Sequence, residues 1–447
     1  MPNTSPPDSA PSSAAPKRQL TLFDSTCIIV GIIIGTGVYI ETHTIASATG
    51  SDWKLLGLWL LGGVLSLCGA MGYAELASAY PREGGDYVYL TKAYGPWAGF
   101  MFGWLQLLVV RPADIAGMAF GFGLFAAKIL NPMPEDYAPY VVQVYAVSAV
   151  AFFTLVNIAG VQQGKWTQNL LTLVKALGVL AIIGVAMFTA RAEVPAFEGG
   201  GCPWRIALII VLFCYGGWNE MAYVAAEVKD PNRNIIRALM LGTGAVILLY
   251  VLLNAAFLYS LGHSGMVGSK LVAADSVSIV LGDAGAGLIS ALICISALGA
   301  VNGLVFTGAR ISFAVGSDHR VFRPLAVWNA RTGTPIRALL LQGAIAITLI
   351  VSIGSFLNTV IYAAAAVYLF YAATNLAVIV LRLKEPQVPR PYRVTLFPLP
   401  TLVFCAACVL MIHGAFEWKP ELSWIALGIV FSGLPVYWLT TPRRATE

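Results

Sequence analysis

Charged residues are scarce in this chain of 447 residues. Asp and Glu together number 22, Lys and Arg together number 27, and the four types make up 11% of the sequence. A soluble domain of this length would need far more charge to cover its surface. Hydrophobic residues account for 58%, and apolar runs recur from Leu22 to Thr440. Many of these runs reach the roughly 20 residues that cross a hydrocarbon core. The composition therefore excludes a soluble protein and predicts an all-α integral membrane protein.

Cysteine and histidine are also few, and neither occurs in a pattern that binds a metal. The seven cysteines lie almost wholly within apolar segments, without paired spacing in any loop, which is typical of small core residues. The four histidines are scattered over four separate regions, whereas metal or acid–base chemistry needs side chains that converge. We therefore expect no disulfide framework, no metal and no cofactor, and the pattern argues against a membrane-embedded enzyme.

About twelve transmembrane helices fit the apolar runs, which leaves no room for a separate soluble domain. The predicted spans are 22–49, 55–80, 97–130, 138–160, 167–190, 204–226, 236–261, 284–315, 336–353, 356–381, 397–417 and 421–440. The first sixteen residues are rich in Pro, Ser and Ala and have no apolar core. Residues 1–20 are therefore expected to form a disordered cytoplasmic tail rather than a signal peptide. Residues 441–447 are expected to form a second cytoplasmic tail.

Lys and Arg are distributed unevenly between the two sides of the predicted bundle. With the N-terminus inside, 19 of them fall in inner segments and six in outer ones. The other two, Arg111 and Lys175, lie within spans. Because Lys and Arg accumulate in cytoplasmic loops, this split predicts an even number of spans with both termini in the cytoplasm. The basic excess thus indicates topology, and no nucleic-acid partner is expected.

Two predicted spans contain glycines, which would not stabilise a helix that faces lipid. The stretch CIIVGIIIGTGVYI (27–40), in the first span, carries Gly31, Gly35 and Gly37. The stretch LFCYGGWNEMAYVAAE (212–227), in the sixth, has two glycines beside Trp, Asn and Glu. Gly is common in transmembrane helices as a packing residue, which is the alternative at either position alone. Interrupted segments at corresponding positions of two halves are typical of transporters built from inverted repeats.

A helix unwound at mid-membrane exposes backbone groups that can bind a small zwitterion. Irregular chain survives at this depth only where it lines a cavity, because every N–H and C=O in lipid must be hydrogen-bonded. Unwinding at Gly35, Thr36 and Gly37 would free amide donors for a carboxylate. The carbonyl groups near Ile33 and Ile34 would suit an ammonium. The two breaks together predict a binding site for a free α-amino acid.

Longer segments resemble the amino acid, polyamine and organocation transporter superfamily and, within it, the L-type amino acid transporter family. The blocks GGDYVYL, VVRP and YGGWN carry the resemblance, which runs from about Leu22 to Arg393. It implies a five-plus-five inverted-repeat, leucine-transporter-like fold in which helices 1 and 6 are unwound at mid-membrane. On that fold, residues 21–193 and 194–382 form the two repeats, and residues 383–440 form two additional spans.

The resemblance also implies a set of substrate-binding residues drawn from the two breaks. The expected set is Ile33, Gly35, Thr36, Gly37, Phe213, Tyr215, Gly216 and Asn219. Gly35, Thr36 and Gly37 are expected to bind the substrate carboxylate. Carbonyl groups of both breaks are expected to bind its amino group. Phe213 is expected to gate the site from the outside, although its position alone would favour an ordinary lipid- or core-facing residue.

Lys175 is a lone ammonium within the fifth predicted span, in the stretch TLVKALGVLAII. Facing lipid it would cost several kcal/mol, so we expect it to face the bundle interior and to reach carbonyl groups at the first break. Sodium-driven relatives hold a cation there, and the resemblance implies that Lys175 substitutes for it, which argues against sodium coupling. The alternative is a side chain that extends to the cytoplasmic interface, since Lys175 lies only about two turns from Thr167.

Acidic residues in or near the spans have more than one possible role. Glu220 stands where the family usually has a neutral residue, so it could pair with a basic substrate, carry a proton or, the favoured option, bond another helix. Arg111 and Asp114 lie one turn apart in the third span and are expected to form a structural ion pair. Glu75 and Asp86 are candidates for salt bridges that close an inner gate, with solvated charges as the alternative.

Eukaryotic members of this family bond to a single-span glycoprotein through a cysteine between the third and fourth spans. That loop here, NPMPEDYAPY (131–140), has no cysteine, so no disulfide-linked subunit is expected, and the natural location is a bacterial inner (plasma) membrane. The sequence thus predicts a sodium-independent exchanger of neutral L-amino acids that works by alternating access. Proton-coupled transport, and transport of cationic amino acids or amines, stay open as alternatives.

Overall fold

The computed structural model describes residues 18–82, 84–130, 138–188, 202–269, 271–353 and 356–440. Within these ranges the chain forms helices joined by turns, and its β-structure is limited to two isolated bridges. The α-helices are α1 (Leu22–Ile33), α2 (Gly37–Ile40), α3 (Thr42–Ser47), α4 (Asp52–Ala79), α5 (Asp86–Tyr94), α6 (Pro96–Leu105), α7 (Arg111–Ile129), α8 (Ala138–Ala159), α9 (Val161–Met187), α10 (Trp204–Cys214), α11 (Glu220–Tyr223), α12 (Pro231–Gly268), α13 (Val272–Asp318), α14 (Ile336–Ile353), α15 (Phe356–Lys384), α16 (Leu399–Trp418) and α17 (Pro420–Thr440).

Ten helical segments in the described part of the chain are long and apolar enough to cross a membrane. Two further predicted spans, the sixth and the ninth, coincide with shorter apolar helices, α10 and α14. The all-α, multi-pass membrane class predicted from the sequence is therefore confirmed. The count of twelve spans and the five-plus-five repeat with its domain limits stay predictions. Both terminal tails lie almost wholly outside the described residues.

The first span is interrupted near its middle. α1 begins with a capping box, in which Thr21 and Asp24 each accept a hydrogen bond from the other's backbone N–H, and it ends at Ile33. Three non-helical residues follow, and α2 begins at Gly37. Because α1 packs against α9, α12 and α13, the interruption lies among other helices, where irregular backbone is tolerated within a membrane.

The second interruption lies in the sixth predicted span, between Cys214 at the end of α10 and Glu220 at the start of α11. Gly217, within it, has a φ of +113°, a conformation that glycine adopts far more readily than other residues. A Cβ atom on Gly217 would lie 2.7 Å from Cγ2 of Ile32 and 3.2 Å from the backbone nitrogen of Ile33. The second break therefore lies directly against the end of α1, where the first break begins, and the absence of a side chain at Gly217 permits this contact.

Two segments predicted as loops contain helices. The inner segment between the second and third spans includes α5, and most of the predicted outer loop 262–283 is helical. Gly262 and Gly282, with φ of +67° and +58°, mark kinks that separate this outer segment from the long parts of α12 and α13. Apolar residues such as Met266 and Val277 are buried there, so the segment folds back onto the bundle.

Candidate functional site

A cavity lies where the two breaks meet. Its walls come from α1, the breaks themselves, α7, α10, α13 and α15. The lining residues are Ile32, Ile33, Gly35, Gly37, Asp114, Met118, Ile209, Leu212, Phe213, Cys214, Gly216, Gly217, Glu220, Leu304, Ala363, Ala364, Val367, Tyr368 and Tyr371. The predicted site residues among them are Ile33, Gly35, Gly37, Phe213, Gly216 and Glu220. The structure thus brings most of the predicted set together around one space.

Thr36 and Gly37 contribute backbone N–H groups beside this cavity. Among the described residues, no backbone carbonyl accepts from either N–H, which is the usual condition of the first N–H groups of a helix. The side chain of Thr36 is buried, with Oγ1 at 3.6 Å from Sδ of Met118. A Cβ atom on Gly37 would lie 3.0 Å from Sγ of Cys214 and 3.7 Å from the ring of Phe213. Gly37 therefore lies close to the predicted gate residue, Phe213.

Tyr215 and Asn219 lie behind the cavity wall. Tyr215 is buried and packs edge-on against Trp59, with ring centroids 5.9 Å apart. The side-chain amide of Asn219 donates to the hydroxyl of Tyr223 at 3.0 Å and accepts from the hydroxyl of Tyr371 at 3.2 Å. Since Tyr371 itself lines the cavity, Asn219 supports the wall from outside it.

The carbonyl groups at the end of α1 are already hydrogen-bonded. The carbonyl oxygen of Ile33 accepts from the N–H of Gly35 at 2.7 Å and from the hydroxyl of Tyr250 at 2.9 Å. The same hydroxyl lies 3.3 Å from the carbonyl oxygen of Cys214, so Tyr250 links the two breaks. Tyr250 is not among the predicted residues because it lies in an apolar run of the seventh predicted span, where no local pattern distinguishes it.

Lys175 is completely buried and uses all three donors of its ammonium. Its Nζ lies 2.6 Å from the carbonyl oxygen of Gly31, 2.7 Å from that of Ile34 and 2.7 Å from that of Ser296. The exposed residues on the opposite face of α9 include Leu170, Leu173, Leu177 and Leu180. This apolar row, at helical spacing, is suited to lipid. Lys175 therefore lies in the bundle interior, where the carbonyl dipoles at the end of α1 stabilise a cation.

The ion pair predicted between Arg111 and Asp114 does not form. Nη1 of Arg111 lies 3.0 Å from Oε1 of Glu220, because the long guanidinium reaches across to the second break instead of along its own helix. The other carboxylate oxygen of Glu220 accepts from the hydroxyl of Thr307. Both charged side chains are buried, so each offsets the other's loss of hydration. Asp114 instead lines the cavity.

Glu75 connects helices at the end of the molecule that is predicted to be cytoplasmic. Its carboxylate pairs with Arg382 at 2.6 Å and with Arg390 at 3.5 Å. It also accepts a hydrogen bond from the N–H of Val394 at 2.7 Å. Glu75 therefore joins α4 to α15 and to the chain that follows α15.

Asp86, at the start of α5, is held by hydroxyl groups instead of cations. Among the described residues its carboxylate forms no salt bridge, and it accepts from the hydroxyls of Tyr73, Tyr223 and Thr374. Burial raises the pKa of Asp86 to about 6, although the three hydroxyl donors act in the opposite direction. These bonds attach α5 to α4, α11 and α15, so Asp86 is a structural centre of this end of the bundle.

Comparison with known proteins gives similarities over nearly the whole chain. A family model described as amino acid permease matches residues 20–433. The b(0,+)-type amino acid transporter 1 of Mus musculus is 29% identical over 439 residues, which cover 94% of this chain and 88% of that protein. The large neutral amino acids transporter small subunit 2 of Rattus norvegicus is 32% identical over 459 residues, covering 98% and 84%. Its Homo sapiens counterpart is 31% identical over 443 residues, covering 95% and 80%.

Proposed function

The chain belongs to the amino acid permease family, and we propose from this that it is a sodium-independent exchanger of neutral L-amino acids that works by alternating access. Its relatives are amino acid transporters by name. The observation that carries the proposal is the cavity between the two breaks, beside which the backbone N–H groups of Thr36 and Gly37 have no backbone acceptor in the described part of the chain. Such groups can donate hydrogen bonds to a carboxylate, and every amino acid has an α-carboxylate.

In this proposal the substrate carboxylate accepts hydrogen bonds at the first break, and its ammonium donates to carbonyl oxygens of both breaks. The carbonyl oxygens of Ile33 and Phe213 each accept from a backbone N–H, but a carbonyl oxygen has two lone pairs. The hydroxyl of Tyr250 can turn to Cys214, which lies within hydrogen-bond distance, when the ammonium binds Ile33. The ring of Phe213, close to Gly37, then closes the outer side.

The contacts of Lys175 support sodium independence. Its ammonium is bonded to three carbonyl oxygens at and near the end of α1. A sodium ion bound at this point would need the same oxygens and would be repelled by the fixed positive charge. We therefore propose that the ammonium of Lys175 takes the place of a bound cation.

Exchange is preferred to proton coupling because of the contacts of Glu220. This carboxylate, a candidate proton carrier, is bonded to Arg111 and Thr307. Protonation would leave the buried guanidinium of Arg111 without its counter-charge, which is costly. We propose that Glu220 fixes the second break to α7 and α13 and does not carry a proton.

The proposal retains the expected arrangement of the chain in the membrane. It includes two repeats, 21–193 and 194–382, and a plasma membrane location with both termini in the cytoplasm. One relative is named a small subunit. In this chain the loop 131–140, most of which lies outside the described residues, contains no cysteine. A disulfide-linked glycoprotein is therefore not part of the proposal.

Transport assays in proteoliposomes test the proposed function. Uptake of labelled leucine or alanine should accelerate when the same unlabelled amino acid is present inside. Replacing external sodium with choline should leave the rate unchanged. A requirement for sodium, or uptake driven by a pH gradient with nothing inside to exchange, would contradict the proposal.

Substitution of Gly37 tests the location of the site. In Gly37→Val the added side chain would enter the space between the first break, Cys214 and Phe213, and should abolish both exchange and the rise in melting temperature that a bound amino acid produces. Gly57→Val is the matched control, because a Cβ added at Gly57 would meet no described residue within 4 Å outside its own helical turn. Equal ligand-induced shifts in both variants would remove the site from this cavity.

A further inference from the structure

Asp114 is a carboxylate with which none of the described residues pairs. It lies in α7, within a membrane-spanning segment, and lines the cavity between the two breaks. Among the described residues none forms a salt bridge or a hydrogen bond with it, because the nearby Arg111 is bonded to Glu220. Ionisable residues within membranes are costly and mark substrate or ion sites by default. The charge of Asp114 is thus available to a ligand in the cavity.

The position of Asp114 along α7 relates it to the first break. Asp114, Met118 and Gly121 lie on one face of this helix by their spacing. A Cβ atom on Gly121 would lie 2.6 Å from Oγ1 of Thr36, and one on Gly35 would lie 2.8 Å from Sδ of Met118. This face of α7 therefore packs directly on the first break. Asp114 is one turn further, about 6 Å along the helix axis from Met118, and both residues line the cavity.

The charge balance around Asp114 favours a cation. Of the described residues that line the cavity, the two carboxylates are Asp114 and Glu220. Glu220 is balanced by Arg111, so the three side chains together carry one excess negative charge when ionised. A positive group beside Asp114 would neutralise this excess in a site of low polarity, where charge pairing is stronger than in water.

We propose that Asp114 binds the positively charged side-chain group of a basic amino acid. The exchanger then accepts substrates with an ammonium or guanidinium side chain in addition to neutral ones. This inference rests on the proposed function, since it assigns the side-chain end of a substrate whose α-carboxylate and α-ammonium are held at the breaks. Asp114 acts as a specificity determinant, and the backbone site binds all substrates alike.

Thermal unfolding of the purified protein with L-lysine, L-ornithine, L-arginine and L-leucine tests this assignment, because a ligand that binds the folded state raises the melting temperature. All four should raise it in the wild type. In Asp114→Asn, which keeps the shape and removes the charge, the apparent affinity for the three basic amino acids should fall roughly ten- to hundredfold. The affinity for leucine should be nearly unchanged.

Two controls distinguish a change in ligand affinity from a change in the stability of the Asp114→Asn protein. Asp52→Asn makes the same change at an exposed position in the first turn of α4 and should leave all four affinities unchanged. In wild-type proteoliposomes, external lysine should compete with labelled leucine and should exchange for internal leucine.

The outcomes separate the inference from the proposed function. If leucine binds and exchanges but no basic amino acid does, the inference is overturned and the proposed function stands. If Asp114→Asn weakens leucine and lysine equally, Asp114 supports the fold and not the specificity, and the inference is again overturned. If no amino acid binds or exchanges, the proposed function fails and the inference fails with it.

Discussion

The hydroxyl of Tyr250 donates a hydrogen bond of 2.9 Å to the carbonyl oxygen of Ile33. Tyr250 lies on α12 and Ile33 is the last residue of α1, so this bond holds the end of a broken helix from a neighbouring helix that is unbroken at Tyr250. The carbonyl oxygen of Cys214, at the end of α10, lies 3.3 Å from the same hydroxyl. One side chain therefore fixes the separation of the two helix ends that border the cavity.

Tyr250→Phe should weaken this link while preserving the aromatic packing on Trp59. We expect a loss of about 1 kcal/mol in the free energy of unfolding, the usual contribution of one hydrogen bond, and slower exchange in proteoliposomes. Tyr259→Phe, on the same helix with half of its side chain exposed, is the control and should match the wild type. Indistinguishable exchange rates for the two variants would contradict a role for Tyr250 at the site.

Lys175→Met should strongly destabilise the protein, although methionine is similar in shape to lysine. The substitution removes one hydrogen-bond donor from each of three buried carbonyl oxygens, of which that of Ile34 still accepts from the hydroxyl of Ser296. We expect a loss of about 3 kcal/mol together with loss of exchange. Thermal unfolding and proteoliposome assays measure both effects. Lys54→Met, at an exposed position, should be neutral in both. Unchanged exchange in Lys175→Met would exclude the proposed role of its ammonium.

Glu220→Gln should destabilise the protein by roughly 3–5 kcal/mol, because the buried guanidinium of Arg111 loses its counter-charge. The double variant Arg111→Gln, Glu220→Gln should lose less than the sum of the two single variants. A double-mutant cycle of unfolding free energies measures this coupling. Additivity within about 0.5 kcal/mol would mean that the two side chains do not interact in the folded protein.

The buried carboxyl of Asp86 should make stability depend on pH. Its pKa rises from 3.8 to about 6 on folding, so between these values the folded state binds more protons than the unfolded state. The contribution of Asp86 to the free energy of unfolding is therefore greatest below a pH of 3.8. It falls by about 3 kcal/mol in all as the pH rises past the pKa of the folded state.

Asp86→Asn removes this titration, so the difference in unfolding free energy between wild type and variant should change between about pH 4 and pH 7 and be constant above. Thermal unfolding of both proteins across this range measures it. Parallel stability curves would show that Asp86 keeps an ordinary pKa in the folded protein.

The features that could be argued from the sequence are those with a local signal. The two breaks follow from glycines and polar residues set within apolar runs, as at Gly35 and Gly216. The inward position of Lys175 follows from the cost of one charge in lipid. Each of these inferences needs only the residues of a single span, and the helical class needs only the length of the apolar runs.

Partners that are distant in the sequence could not be predicted in the same way. Arg111 and Glu220 are 109 residues apart, and Tyr250 is 217 residues from Ile33. The spacing of Arg111 and Asp114 indicated a pair within one helix, but spacing does not reveal which of two carboxylates a long buried side chain reaches. The burial of Asp86 depends likewise on α4, α11 and α15 together. The polar residues next to it in the sequence therefore gave no indication that it is buried.

The contact through Gly217 has a mechanical consequence. Because no side chain separates the second break from Ile32 and Ile33, a tilt of α10 and α11 presses directly on α1. We therefore expect the two broken helices to tilt together as one rigid unit, with little sliding of one past the other. A bound molecule would then travel inside a space of constant shape, and only the openings at its rim would alternate between the two faces of the membrane.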